Sequence, residues 1–144
     1  MDIRELTAPC GLYCASCPLY LASKDEKMAE AIANKFNIPV KAARCLGCRP
    51  TSGSPTPFAG KTCGNFSCAE EKGHFTCVEC ADFPCIKLAP AADKADMIPH
   101  NTKLYNLLLI KKKGLEAWAK NAAAVLNLYY KGAITYGEGP KISE

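Results

Sequence analysis

Ten cysteines are the residues of this 144-residue chain best suited to chemistry. They fall as Cys10-x3-Cys14-x2-Cys17, Cys45-x2-Cys48, Cys63-x4-Cys68 and Cys77-x2-Cys80-x4-Cys85. A CxxC pair suits a metal ion because a tight turn aims both sulfurs at one point, about 2.3 Å from a zinc ion. Small residues occupy the bends: Ala15-Ser16 between Cys14 and Cys17, and Leu46-Gly47 between Cys45 and Cys48. Two such pairs complete a tetrahedral thiolate site, and closing a long loop on metal stabilises a stretch with few large apolar side chains. All ten cysteines (Cys10, Cys14, Cys17, Cys45, Cys48, Cys63, Cys68, Cys77, Cys80 and Cys85) are therefore candidate ligands.

Other uses of cysteine fit less well. Disulfides belong to oxidising compartments. The start, Met1-Asp2-Ile3-Arg4-Glu5, alternates charge and lacks the basic-then-apolar order of a signal peptide, so a cytoplasmic chain with reduced thiols is expected. A thioredoxin-like CxxC needs a βαβ context, and no pair here follows a strand pattern. Zinc is preferred over an iron–sulfur cluster because the ferredoxin runs C-x2-C-x2-C-x3-C-P and C-x4-C-x2-C are absent and the pairs are dispersed. About two zinc ions are expected; the alternative is an iron–sulfur cluster in electron transfer or redox sensing. Cys10-x3-Cys14-x2-Cys17 has the bare spacing of radical S-adenosylmethionine enzymes. Ser16 stands where those commonly carry an aromatic residue, and the chain is shorter than the ~250 residues of a (β/α) barrel.

Ten ligands do not divide by four, so two four-thiolate sites leave two thiols over. His74 lies between Cys68 and Cys77 and reads better as a loop histidine than as a ligand; His100, after Pro99, reads as part of a helix entry. Spacing alone leaves the pairing open. The preferred arrangement joins Cys45 and Cys48 with Cys63 and Cys68, which flank one loop. Cys10, Cys14, Cys17, Cys77, Cys80 and Cys85 then form the other site with two surplus thiols.

The elements that must position these thiols are mostly helical. Ser23-Lys24-Asp25-Glu26 has the form of a capping box, followed by Met28, Ile32 and Phe36 as an apolar stripe and closed by Asn37 and Pro39. Pro39 opens a short helix to Ala43. Pro50 to Gly60 is a loop by composition. One helical turn is expected over Cys68–Lys72, stopped by Gly73, a short strand over Phe75–Val78, and a short helix between Pro84 and Pro90. Beyond Asn101, Leu104, Leu107 and Leu108 mark one helix, and Gly114 interrupts after Lys111-Lys112-Lys113. Leu115, Trp118, Ala122, Val125 and Tyr129 give the next helix a heptad-like stripe, expected to pack on the cysteine-rich part. Gly137-Glu138-Gly139-Pro140 reads as a frayed tail. The predicted fold is mainly α with irregular metal-knuckle loops. It is a single domain over 1–144: a cysteine-rich metal-binding part at 8–90, a helical pair at 100–132 and a flexible tail at 133–144.

Charge gives no support to one partner class. The formal net charge of +4 counts every thiol as neutral, and eight thiolates holding two divalent ions would bring it to zero. All ten cysteines lie in residues 1–90, so the metal-loaded chain would be bipolar rather than generally basic, and nucleic acid is not the expected partner. No apolar run approaches the ~20 residues that span a bilayer. No GxSxG, P-loop, dinucleotide-binding glycine pattern or HExxH appears and no carboxylate pair stands out, so no catalytic residue is assigned. Three lysines in a row point about 100° apart on a helix; Lys111–Lys113 therefore face the carboxyl end of the helix dipole rather than form a phosphate patch. The expected function is a non-catalytic zinc module presenting a surface to a protein partner.

The motifs also carry a resemblance. Cys10-Gly11-Leu12-Tyr13-Cys14-Ala15-Ser16-Cys17-Pro18, Cys45-Leu46-Gly47-Cys48-Arg49, Cys68-Ala69-Glu70-Glu71-Lys72-Gly73 and Cys77-Val78-Glu79-Cys80-Ala81-Asp82-Phe83-Pro84-Cys85 resemble domain-of-unknown-function family 3795 of small bacterial and archaeal proteins. Gly114-Leu115-Glu116-Ala117-Trp118 is similar to its helical part, and the resemblance runs over roughly residues 8–120. One departure is Asn65-Phe66-Ser67 before Cys68, where that family's pattern carries Ile-Arg. The resemblance implies a cysteine-rich, zinc-binding domain and implies no activity.

Overall fold

The computed structural model describes residues 2–56, 60–92, 99–131 and 133–141. It is mainly helical, with irregular loops and 3-10 turns between the helices. The helices are α1 (Ile3–Leu6), α2 (Pro18–Leu21), α3 (Glu26–Phe36), α4 (Gly64–Glu71), α5 (Lys103–Lys113) and α6 (Leu115–Lys131). Among the described residues the strands are β1 (Ala133–Thr135) and β2 (Gly139–Lys141), an antiparallel pair with Ile134 opposite Pro140. The segment expected to fray thus forms a hairpin, turned at Gly137 with φ of 81°. No helix among the described residues is long and apolar enough to cross a membrane.

Local signals set most helix ends. Asp25, not Ser23, caps α3: its carboxylate accepts from the Met28 amide at 3.1 Å. The Ser23 hydroxyl donates instead to the Tyr20 carbonyl at 2.6 Å, finishing the turn after α2. Asn37 ends α3 in the left-handed conformation, as its short polar side chain allows. The buried face of α3 is Ala29 and Ala33, whereas Met28 and Phe36 of the expected stripe are exposed. Small side chains let α3 approach the 3-10 turn Val40–Ala43, where Arg44 pairs with Glu26. α4 is longer than the single turn expected at 68–72 because it starts directly after Cys63. The strand expected at Phe75–Val78 is instead a 3-10 turn, Cys77–Glu79, under a Thr76/Glu79 capping box. The expected loop from Pro50 to Gly60 is turn and coil where described, and its residues 57–59 lie outside the described residues.

One core joins the cysteine-rich part to the helical pair. Ala8, Cys10, Leu88, Leu107, Ile110, Trp118, Ala119 and Ala122 pack together. Trp118 is 2% exposed, and its ring meets Tyr13 edge-on with centroids 5.2 Å apart. Buried Asn106 donates to the Gly11 carbonyl at 2.8 Å and accepts from the Trp118 indole at 3.4 Å. Gly11 is required here: its φ is +85°, and a Cβ would lie 2.8 Å from Leu107 Cγ and 2.9 Å from the Lys103 carbonyl oxygen. The stripe of α6 therefore packs inward, as expected, with the Val125 side chain outside the described ones. Lys111, Lys112 and Lys113 form the exposed last turn of α5 before Gly114.

Candidate metal centre

The first thiols are placed by a tight turn. Thr7 bridges Tyr13, and Gly11 donates to the Ala8 carbonyl at 2.9 Å, so Pro9-Cys10-Gly11 folds back against α5. Cys10 is buried within the core, Cys14 opens a 3-10 turn and Cys17 sits at the N-cap of α2. The Cys45 amide donates to the Leu19 carbonyl at 3.0 Å, which brings the Cys45–Cys48 knuckle beside α2. Within that knuckle the Gly47 amide donates to Cys45 Sγ at 3.3 Å. Gly47 has φ of +96°, and a Cβ there would stand 3.2 Å from Cys14 Sγ. Glycine thus permits both the bend and the approach of a third sulfur.

Burial pushes these thiols up. Cys14 reaches about 11, chiefly from desolvation and then from the charges of Cys17, Cys45 and Cys10, while the Cys48 amide opposes the shift. Desolvation likewise raises Cys48, with Cys10, Cys14, Cys63 and Cys45 adding to it. Cys17 and Cys10 are also raised by burial; the Tyr20 and Leu19 amides act against it at Cys17, and Lys103 and the Leu12 amide at Cys10. Cys10, Cys14, Cys17, Cys45, Cys48 and Cys63 are in this way electrostatic neighbours.

A second group lines one cavity of about 170 Å³: Cys68, Cys77, Cys80 and Cys85, with His74 on the same wall. Cys77 is held by its amide on the Pro9 carbonyl at 2.8 Å, and Cys80 caps the same 3-10 turn. Cys77 is pushed up to about 11 by desolvation, then by the charges of Cys10, Cys85, Cys68 and Cys80. Lys72 donates to Cys80 Sγ at 3.3 Å and to Asp82 Oδ2 at 2.9 Å. Those two hydrogen bonds hold the ammonium well above its ordinary range and Asp82 below its own. His74 stands 4.0 Å from the Glu79 carboxylate.

The structure parts Cys63 from Cys68, against the pairing preferred from spacing. Cys63 is the extended N-cap before α4 and Cys68 lies five positions on, within the helix, where five helical steps turn a side chain through about 500°, or roughly 140° net. Cys63 is a charge neighbour of Cys48 and Cys10, and Cys68 lines the cavity. Cys14 and Cys17, expected with the 77–85 thiols, lie with Cys45 and Cys48 instead. Among the described residues no group of three or more His, Cys, Asp or Glu side chains is placed so that it could hold a metal ion as it stands. The fit to a metal is one of donor chemistry and grouping, not of completed coordination.

Spacing gave no sign of Arg49. Its guanidinium donates to the Thr7 carbonyl at 2.8 Å and the Phe75 carbonyl at 2.7 Å, and lies 4.1 Å over the Phe75 ring. Arg4 stacks on the same ring at 4.0 Å. Arg49 thereby ties the Cys45–Cys48 knuckle to the segments bearing Cys10 and Cys77. Its place directly after a knuckle was the available signal.

No curated protein and no solved structure matches the chain. The family model described as protein of unknown function (DUF3795) matches residues 6–90, and those residues hold all ten cysteines and both thiol groups. Since the match takes in more than half of the sequence, the chain belongs to that family.

Proposed function

We propose that this protein is a zinc-binding module with two thiolate centres, a non-catalytic one whose metal fixes a surface for a protein partner. Cys14, Cys17, Cys45 and Cys48 would hold one ion, and Cys68, Cys77, Cys80 and Cys85 the other. Cys10 and Cys63 are the surplus thiols, charge neighbours of each other and of Cys48. The observation that carries the reading is that Cys68, Cys77, Cys80 and Cys85 line one cavity while Cys14, Cys17, Cys45 and Cys48 are charge neighbours of one another. A bound divalent ion would replace protons on the thiols and cancel charge that burial makes costly. The Gly47 amide on Cys45 and the Lys72 ammonium on Cys80 are donors of the kind that stabilises a ligating thiolate. The partner-facing role rests on exposed apolar side chains beside the knuckles, Leu46 at 64% and Ile86 at 87%.

The test is elemental analysis with a visible spectrum on untagged protein purified without oxygen or added metal. About two zinc ions per chain and no colour are expected. Cys48→Ser and Cys80→Ser should each lose one equivalent. Iron with matching sulfide and a brown colour would replace zinc by an iron–sulfur centre, and full metal content in both variants would overturn the ligand assignment.

A further inference from the structure

The two groups differ in cover. In the first, Cys14 and Cys45 are buried and Cys17 and Cys48 half-buried, Gly47 closes over Cys14, and Arg49 ties the knuckle to two other segments. No thiol of the second group is buried: Cys68, Cys77 and Cys80 are half-buried and Cys85 is exposed. They open onto the cavity of about 170 Å³, a volume of the order that admits a benzene-sized guest. Its other walls include Ala69, Phe83, Ile86 and Leu88, so a compact apolar reagent is not repelled. Lys72 and Asp82, the charged neighbours of Cys80, are both exposed. A reagent reaches this group without disturbing the core, whereas reaching Cys14 and Cys45 requires the fold to open.

Building on the two-centre reading, we infer that the cavity group is the exchange and modification centre of the molecule. Its divalent ion is the one that enters and leaves, and Cys80 and Cys85 are the thiols a soft electrophile attacks. The other ion is a permanent part of the fold. With a maleimide, the thiolate sulfur bonds to one alkene carbon, the carbon–carbon π bond breaks, and the second carbon takes a proton from water. The ion loses that ligand and passes to solvent or chelator.

Metal-loaded protein is treated in parallel with one equivalent of N-ethylmaleimide and with excess 4-(2-pyridylazo)resorcinol. Metal release, circular dichroism and the labelled peptide are followed. The label should appear first between Gly73 and Lys87, which holds Cys77, Cys80 and Cys85. One ion should leave with helicity kept, and the second at least about tenfold more slowly, as global opening requires. Cys85→Ser, at an exposed position, should abolish only the fast phase. Labelling first at Cys14, Cys17, Cys45 or Cys48, or loss of both ions at one rate, would overturn the inference. Protein that carries no metal at all would overturn the two-centre reading instead, and the order of labelling would still decide the modification site.

Discussion

Two glycines hold more of the site than their size implies. Gly47 lets Cys14 Sγ approach the Cys45–Cys48 bend, at a backbone φ of +96° that an L side chain adopts only with strain. Gly47→Ala should cost about 1–2 kcal/mol of stability and lower occupancy of the first centre, read by chemical denaturation and metal content. Gly11 meets backbone and a buried Leu107 rather than a flexible tip. Gly11→Ala should therefore be worse, at about 2–4 kcal/mol from strain plus overpacking. Asn106 is the polar counterpart. Asn106→Leu would strand the Gly11 carbonyl and the Trp118 indole without partners, at about 1–3 kcal/mol by the same measurement.

At the scale of elements, α4 is the divider. Its start at Gly64, directly after Cys63, turns the x4 spacing through the helix and sends the thiol of its cap and the thiol within it to different places. Cys68→Ser should remove the cavity ion and leave the other, whereas Cys63→Ser should leave the cavity ion in place; metal content with mapping of protected thiols separates the two. The helical pair α5 and α6 is the platform for the Cys10–Tyr13 turn, through Leu107, Asn106 and Trp118. Truncating Trp118 to Ala should cost about 3–5 kcal/mol and unfold the cysteine-rich part with the helices in one transition. A separate melting of the two parts would contradict the shared core.

Across the whole molecule, thiol burial links stability to pH. Burial pushes the Cys14 and Cys77 thiols up from the ordinary 9.0 to about 11. Between those values the folded chain holds more protons than the unfolded one. The stability this represents is fully present below pH 9 and is lost as pH rises toward 11. Metal-free protein should melt at falling temperatures across that window. Zinc-loaded protein, whose ligands are already deprotonated, should be insensitive there and weaken on acidification instead. Thermal melts from pH 4 to 11 with and without zinc would show the opposite slopes.

The local signals in the sequence were enough for α3, α5 and α6 and for the end of α4, because caps and breakers act over a few residues, whereas α1, α2 and the start of α4 went unread. Asn37, Gly73 and Gly114 stop helices where they stand, and Trp118 is inward on its stripe. The resemblance carried by the CxxC bends was likewise legible, and the family match agrees with it. Other features depended on choices between close competitors. Asp25 displaced Ser23 as a cap, and alanines displaced Met28 and Phe36 as the buried face of α3 because the neighbouring turn comes close. Grouping of thiols was a tertiary matter from the start, since spacing states how far apart two ligands lie along the chain and not which way they face. By itself the sequence determined that ten thiols crowd into residues 10–85 and that a helical pair follows them. Only the tertiary structure decided that Cys63, the cap of α4, and Cys68 within it part company, and that Arg49 and Asn106 tie distant segments together, because those outcomes depend on helical rotation and on contacts between residues far apart in the chain.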